Sequence, residues 1–67
     1  MTIREFIGYL TYSQEITIWH KQTHAGTYKR YTTDIVGEAY LEDSILDSRI
    51  TTINTDSDAI LVIHCIG

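Results

Sequence analysis

The spacing of apolar residues along the chain switches between helical and alternating, and each switch marks an element. Ile3, Phe6, Ile7 and Leu10 fall at i, i+3, i+4 and i+7, one stripe of an amphipathic helix. Thr2 and Glu5 have the S/T-x-x-E form of a capping box, and Met1 and Phe6 have the spacing of a hydrophobic staple. The pattern predicts a helix from Ile3 to Tyr12, ended by Ser13-Gln14, with Gly8 in its interior at a cost of roughly 1 kcal/mol against alanine. From Glu15 to Lys21 the period becomes two: Ile16, Ile18 and His20 share one face, and Thr17, Trp19 and Lys21 share the other. Gln22–Gly26 supplies turn residues and Thr27–Thr33 returns to strand-favouring chemistry, so the pair reads as a hairpin. The charges on its second strand suit a sheet edge, where they discourage pairing with another chain.

Asp34 is placed to cap a short helix running to about Glu42, with Val36, Ala39 and Tyr40 as a modest apolar face. Ser44–Ser48 reads as a connection whose Ile45 and Leu46 tuck inward. Arg49–Asn54 is a third strand, Asp56–Asp58 a turn, and Ala59–Ile66 a fourth strand. That last run has no charge, glycine or proline and is apolar at both parities, the mark of a strand interior to a sheet with both sides covered. The expected architecture is a single small α+β domain over residues 1–67. Its N-terminal helix packs on a four-stranded, mainly antiparallel sheet made of two hairpins, with a short helix between them. One amphipathic helix covers one face of such a sheet. The other face of Ala59–Ile66 must then be covered by the short helix, a loop or a partner subunit.

Size limits what this architecture can do. A 67-residue chain buries only about 60% of the surface that its unfolded form exposes. Ligand pockets typically need about 300 Å³ or more, which argues against a self-contained metabolic enzyme and for a module that works through its surface. Cys65 is the single cysteine, so no intramolecular disulfide forms and a secreted mini-protein is not expected. No apolar signal core opens the chain and no apolar run approaches the roughly 20 residues that span a bilayer, so a cytoplasmic location without membrane contact is expected. The net charge of −4 is unevenly spread: residues 1–30 carry +2 and residues 31–67 carry −6. The acidic half repels phosphate backbones, which disfavours direct nucleic-acid binding, and Lys29-Arg30 is a small patch against it.

No catalytic constellation, cofactor motif or metal site is expected. His20, His24, His64 and Cys65 have the right atoms for zinc, but none of their spacings is that of a zinc site, and His64 and Cys65 point to opposite faces of a strand. Asn54–Asp58 has the acids of a calcium loop, yet Ala59 stands where that loop needs glycine and Cys65 where it needs a bidentate glutamate. Cys65 in an apolar strand behaves as a small buried hydrophobe rather than a nucleophile. The aromatic residues Tyr9, Tyr12, Trp19, Tyr28 and Tyr31 form the candidate interface, because exposed Tyr and Trp anchor protein contacts. Asp34, Glu38, Glu42, Asp43 and Asp47 form a candidate acidic strip.

The run Met1-Thr2-Ile3-Arg4-Glu5-Phe6-Ile7 with Leu10, followed by Glu15–Trp19, Leu46–Ile53 and Ile60–Ile66, resembles small open reading frames of bacterial phages and mobile elements. That resemblance implies a cytoplasmic accessory protein and carries over no catalytic residue. The leading expectation is therefore a non-enzymatic accessory or interaction protein whose partner is another protein or a second copy in a homodimer. The alternative is an acidic inhibitor that mimics nucleic-acid charge toward a host nuclease or polymerase, and a small enzyme or metal-binding protein ranks third.

Overall fold

The computed structural model describes all residues from Met1 to Gly67. The elements run α1 (Ile3–Ile7), β1 (Glu15–Lys21), β2 (Lys29–Ile35), α2 (Asp43–Leu46), β3 (Arg49–Thr55) and β4 (Leu61–Ile66). The strands form one sheet in the order β2-β1-β4-β3. Each hairpin is antiparallel, and the two join through a parallel pairing of β1 with β4, in which Ile16 meets Leu61 and Ile18 meets Ile63. The α+β arrangement with two hairpins and an intervening short helix is thus present, and β4 lies inside the sheet. Its place between two other strands accounts for the absence of charge in this run, with Ile63 and Cys65 buried and Leu61, Val62 and His64 half-buried. No helix is long and apolar enough to cross a membrane.

The core is built from isoleucine. Ile3, Ile16, Ile18, Ile45, Ile63 and Cys65 form one buried cluster, with Phe6, Ile7, Leu10, Tyr31, Val36, Leu41, Leu46, Ile50 and Leu61 packed around it. Branched side chains standing off adjacent central strands fill this layer well. Helix α1 sits over it through the expected cap: the Thr2 hydroxyl accepts from the Glu5 amide at 3.2 Å, and the Glu5 carboxylate accepts from the Thr2 amide at 3.0 Å. The Thr2 amide, contributing most, and the Thr2 hydroxyl, donating to the same carboxylate oxygen at 3.1 Å, favour the ionised form and hold the Glu5 pKa below its ordinary value.

Helix α1 stops at Ile7 rather than Tyr12. Gly8 is its C-cap, and the chain continues in tighter i to i−3 turns, Tyr9 amide to Phe6 carbonyl and Leu10 amide to Ile7 carbonyl. Ile3, Phe6, Ile7 and Leu10 still reach the core, so the stripe survives the loss of the regular helix. Beyond it, Thr11–Gln14 is itself a turn, closed by the Gln14 amide donating to the Thr11 carbonyl at 3.2 Å, rather than a continuation of the helix. The Tyr12 and Gln14 carbonyls accept from the Gly37 and Val36 amides, each at 2.9 Å.

The same bonds explain why no helix forms over 34–42. β2 runs on through Asp34 and Ile35, and the chain at Val36–Gly37 is held against Tyr12–Gln14. Gly37 lies so close to Tyr12 that a Cβ there would sit 3.1 Å from the Tyr12 Cβ. The short helix between the hairpins is α2, where the sequence suggested a connection, and Ile45 and Leu46 do turn inward from it. β4 begins at Leu61, two residues later than expected, because Ala59 adopts a left-handed φ of 61° inside the Asp56–Ile60 turn. Asp56 ties that turn by accepting from the amides of Asp58 and Ile60.

Thr2→Ala should cost about 1 kcal/mol in urea unfolding, the usual worth of an N-cap. Because the folded Glu5 pKa is lowered, its contribution is present above the ordinary carboxylate range and lost as pH falls through the lowered value. Ile63→Asp should unfold the chain by circular dichroism, since Ile63 is wholly buried in the core. Val62→Asp should leave a folded protein, since Val62 is only half-buried on the opposite face.

Candidate functional site

Residues of alternate parity from Ile16, Ile18 and Ile63 form the sheet face that no helix covers. On β1 these are Thr17, Trp19 and Lys21; the parallel register sets Val62, His64 and Ile66 beside them on β4. Trp19 and His64 stack with ring centroids 6.3 Å apart and planes 13° from parallel. Tyr28, just before β2, meets His64 edge-on at 4.8 Å, and its hydroxyl hydrogen-bonds the Thr51 hydroxyl at 2.7 Å. That side chain therefore crosses both central strands and ties one outer strand to the other. Lys21 holds its ammonium 4.5 Å from the centre of the Tyr28 ring, a cation–π contact worth about 0.5–1 kcal/mol at a partly exposed site. The Nδ1 of His64, enclosed among these rings, has no hydrogen-bond partner.

The second face of β4 is thus partly covered by aromatic side chains of the chain itself, with Val62, His64 and Trp19 all half-buried. Val36, Ile45 and Leu46, expected as possible cover for it, pack instead on the isoleucine side, and Tyr40 is 81% exposed. The candidate interface residues divide accordingly. Trp19 and Tyr28 come together on the open face. Tyr31 lies by the bulge between Ile18 and Trp19 of the pairing register and packs on the core, its hydroxyl accepting from the Glu42 amide at 3.3 Å. Tyr9 and Tyr12 are 80% and 82% exposed beyond the end of α1 and contact neither ring. His64 and Lys21 complete the cluster. Sequence reasoning weighed His64 as a half-buried sheet residue or a metal ligand; only the parallel register of β1 with β4 sets it beside Trp19.

The register also gathers charge. Arg30 pairs across from Trp19 and Lys29 from His20, while Lys21 and Arg49 flank Ile66 from either side. Four of the five basic residues therefore lie at one end of the sheet, although they are spread from position 21 to position 49 in sequence. None of the four is ion-paired; both ion pairs belong to Arg4. A concave pocket of about 410 Å³ opens at this end, lined by His20, Lys21, Thr23, Lys29, Arg30 and Tyr31. Glu15, Asp34, Asp56 and Asp58 mark the opposite end. The sheet is charge-polarised along its strands.

The acidic strip is less coherent. Its spacing argument needed a helix over 34–42, which does not form, so Asp34, Glu38 and Glu42 are not aligned by helical turns. Arg4 engages Asp47 at 3.1 Å and Asp43 at 3.3 Å, and these bonds raise the Arg4 pKa, Asp47 contributing most. Asp34 accepts from the adjacent Ile35 amide.

The remaining titratable candidates lie apart. His20 hydrogen-bonds the Gly67 carbonyl oxygen through Nε2 at 2.8 Å, and His24 sits exposed in the β1–β2 loop. No three His, Cys, Asp or Glu side chains converge as a metal site would require. Cys65 is buried in the core, and burial pushes its thiol pKa up against the opposing pull of a hydrogen bond with Ser48. Comparison with known proteins gives no match: no family model fits the chain, and no curated protein or solved structure matches it.

Cys65 should accordingly react with a thiol reagent such as dithionitrobenzoate far more slowly in the native protein at neutral pH than after unfolding in urea. Comparable rates in the two states would show the thiol to be accessible.

Proposed function

We propose that this chain is a non-enzymatic interaction module that holds an acidic, aromatic-containing segment of a partner protein across the open face of its sheet. The observation that carries the reading is the cluster of Trp19, Tyr28 and His64 on a face without helix cover, beside unpaired cations at one end. Large, stiff aromatic side chains supply contact area at low entropic cost, and exposed cations add orientation and a faster encounter. Lys21 and Arg30 border the rings on that face and Lys29 lies next to them, so a partner laid along β1 meets apolar surface first and positive charge at its end.

The acidic-mimic reading has less support, because Asp43 and Asp47 are already engaged by Arg4 and the remaining acids share no helical face. The net acidity that disfavours nucleic acid still applies to the whole molecule, while the local charge at the basic end has the opposite sign.

Trp19 is the only tryptophan and reports directly on this face. Titration with a random Glu/Tyr copolymer should give a saturable, salt-weakened change in its fluorescence. Lys21→Glu combined with Arg30→Glu should weaken that binding about tenfold or more, the effect of removing two charge-assisted contacts. Absence of any response to the copolymer would remove the reading, and tighter binding of a single-stranded oligonucleotide would reassign the face to nucleic acid.

A further inference from the structure

The two edges of the sheet are guarded unequally. β2 carries Lys29, Arg30 and Asp34 along its length, a usual defence against strand addition. β3 reads Arg-Ile-Thr-Thr-Ile-Asn-Thr: after its first residue it has no charge and no proline, and Ile50 alone is half-buried while the others are exposed. Ile53 is 41% exposed although its cross-strand partner Ile63 is wholly buried in the core.

The outer edge of β3 already accepts one short strand. Thr2 forms an antiparallel bridge with Arg49, and the Ile50 amide donates to the Met1 carbonyl at 2.9 Å. From Thr51 onward nothing pairs with it. The Asp56 amide donates inward to the Ile60 carbonyl at 3.1 Å. By the alternation of an antiparallel ladder, Asn54 and Thr52 then also bond β4, and the peptide groups of Ile53 and Thr55 point outward.

We propose that β3 joins two copies of this chain edge to edge, antiparallel, about a twofold axis at Ile53. Each Ile53 then exchanges both of its outward hydrogen bonds with its counterpart, and the two side chains meet on the isoleucine side of the sheet. The open window fits this arrangement. It is closed at one end by Met1 and at the other by the turn at Asp56, so a second copy extends only as far as its own turn begins. Charge selects the antiparallel sense. Arg49 and the Met1 end of one copy come beside Asp56 and Asp58 of the other, at both ends of the seam, whereas a parallel seam would set like charges together. The resulting eight-stranded sheet leaves the Trp19 faces free, so the pairing stands independently of the proposed partner binding.

Sedimentation velocity from micromolar to millimolar concentration tests this. The wild type should associate into a dimer that high salt weakens. Ile53→Lys, at an exposed position, should raise the dimer dissociation constant about tenfold or more by setting two like charges opposite each other. Amide exchange of the wild type gives a readout that needs no variant: the Ile53 and Thr55 amides should be protected at high concentration and exchange freely on dilution. A strict monomer over this range would overturn the proposal. So would a dimer in which those two amides exchange freely.

Discussion

The parallel contact of β1 with β4 is the constraint on which everything else in this molecule depends. The hairpins β1–β2 and β3–β4 each bury little alone, and a two-stranded hairpin is marginal in water. Set side by side, they bring Ile16 and Ile18 against Leu61 and Ile63, making a platform that α1 and Ile45 of α2 can cover. The opposite face of the same pairing aligns Trp19 with His64 and Lys21 with Ile66. Core and candidate site are therefore two sides of one register. A one-residue slip of β4 would exchange its buried and open residues and dissolve both together.

The site draws its properties from that alignment rather than from any local motif. Trp19, Tyr28 and His64 come from three segments, and the Tyr28 hydroxyl closes the group by reaching Thr51 on the far outer strand. The cations meet because strand ends meet: β1 and β4 finish where β2 and β3 start. A molecule that is acidic in total thus presents one positive end, which local charge rather than net charge governs at short range.

Much of the fold was legible in the sequence, and the limits were physical. The alternation from Glu15 to Lys21, the capping box at Thr2 and Glu5, and the uninterrupted run before Gly67 each express a local preference that the tertiary structure reinforces. The helix expected over 34–42 failed because Val36 and Gly37 give their amides to Gln14 and Tyr12, a long-range bond that no local pattern announces. The helix after Thr2 ended early at Gly8, where the chain tightens into i−3 turns, although its apolar stripe kept its purpose. For the site, parity alone placed Trp19 on the face away from Ile16 and Ile18. That Tyr31 would turn to the core, or that Arg49 would lie one strand away from Lys21, required strand order and a bulge. Tyr40 shows the converse: assigned to an apolar helical face, it is exposed once that helix is gone.

The strand order also has a consequence in time. β1 cannot find its inner neighbour until residues 61–66 have been made. At synthesis rates of about 5–20 residues per second the wait lasts seconds. Through that interval the first hairpin presents Ile16 and Ile18 to solvent or to a chaperone without their native cover. The charges of β2 shield only its outer flank. The nascent chain is therefore most vulnerable to misassembly on the side of β1 that later becomes the centre of the sheet, and rescue comes from β4.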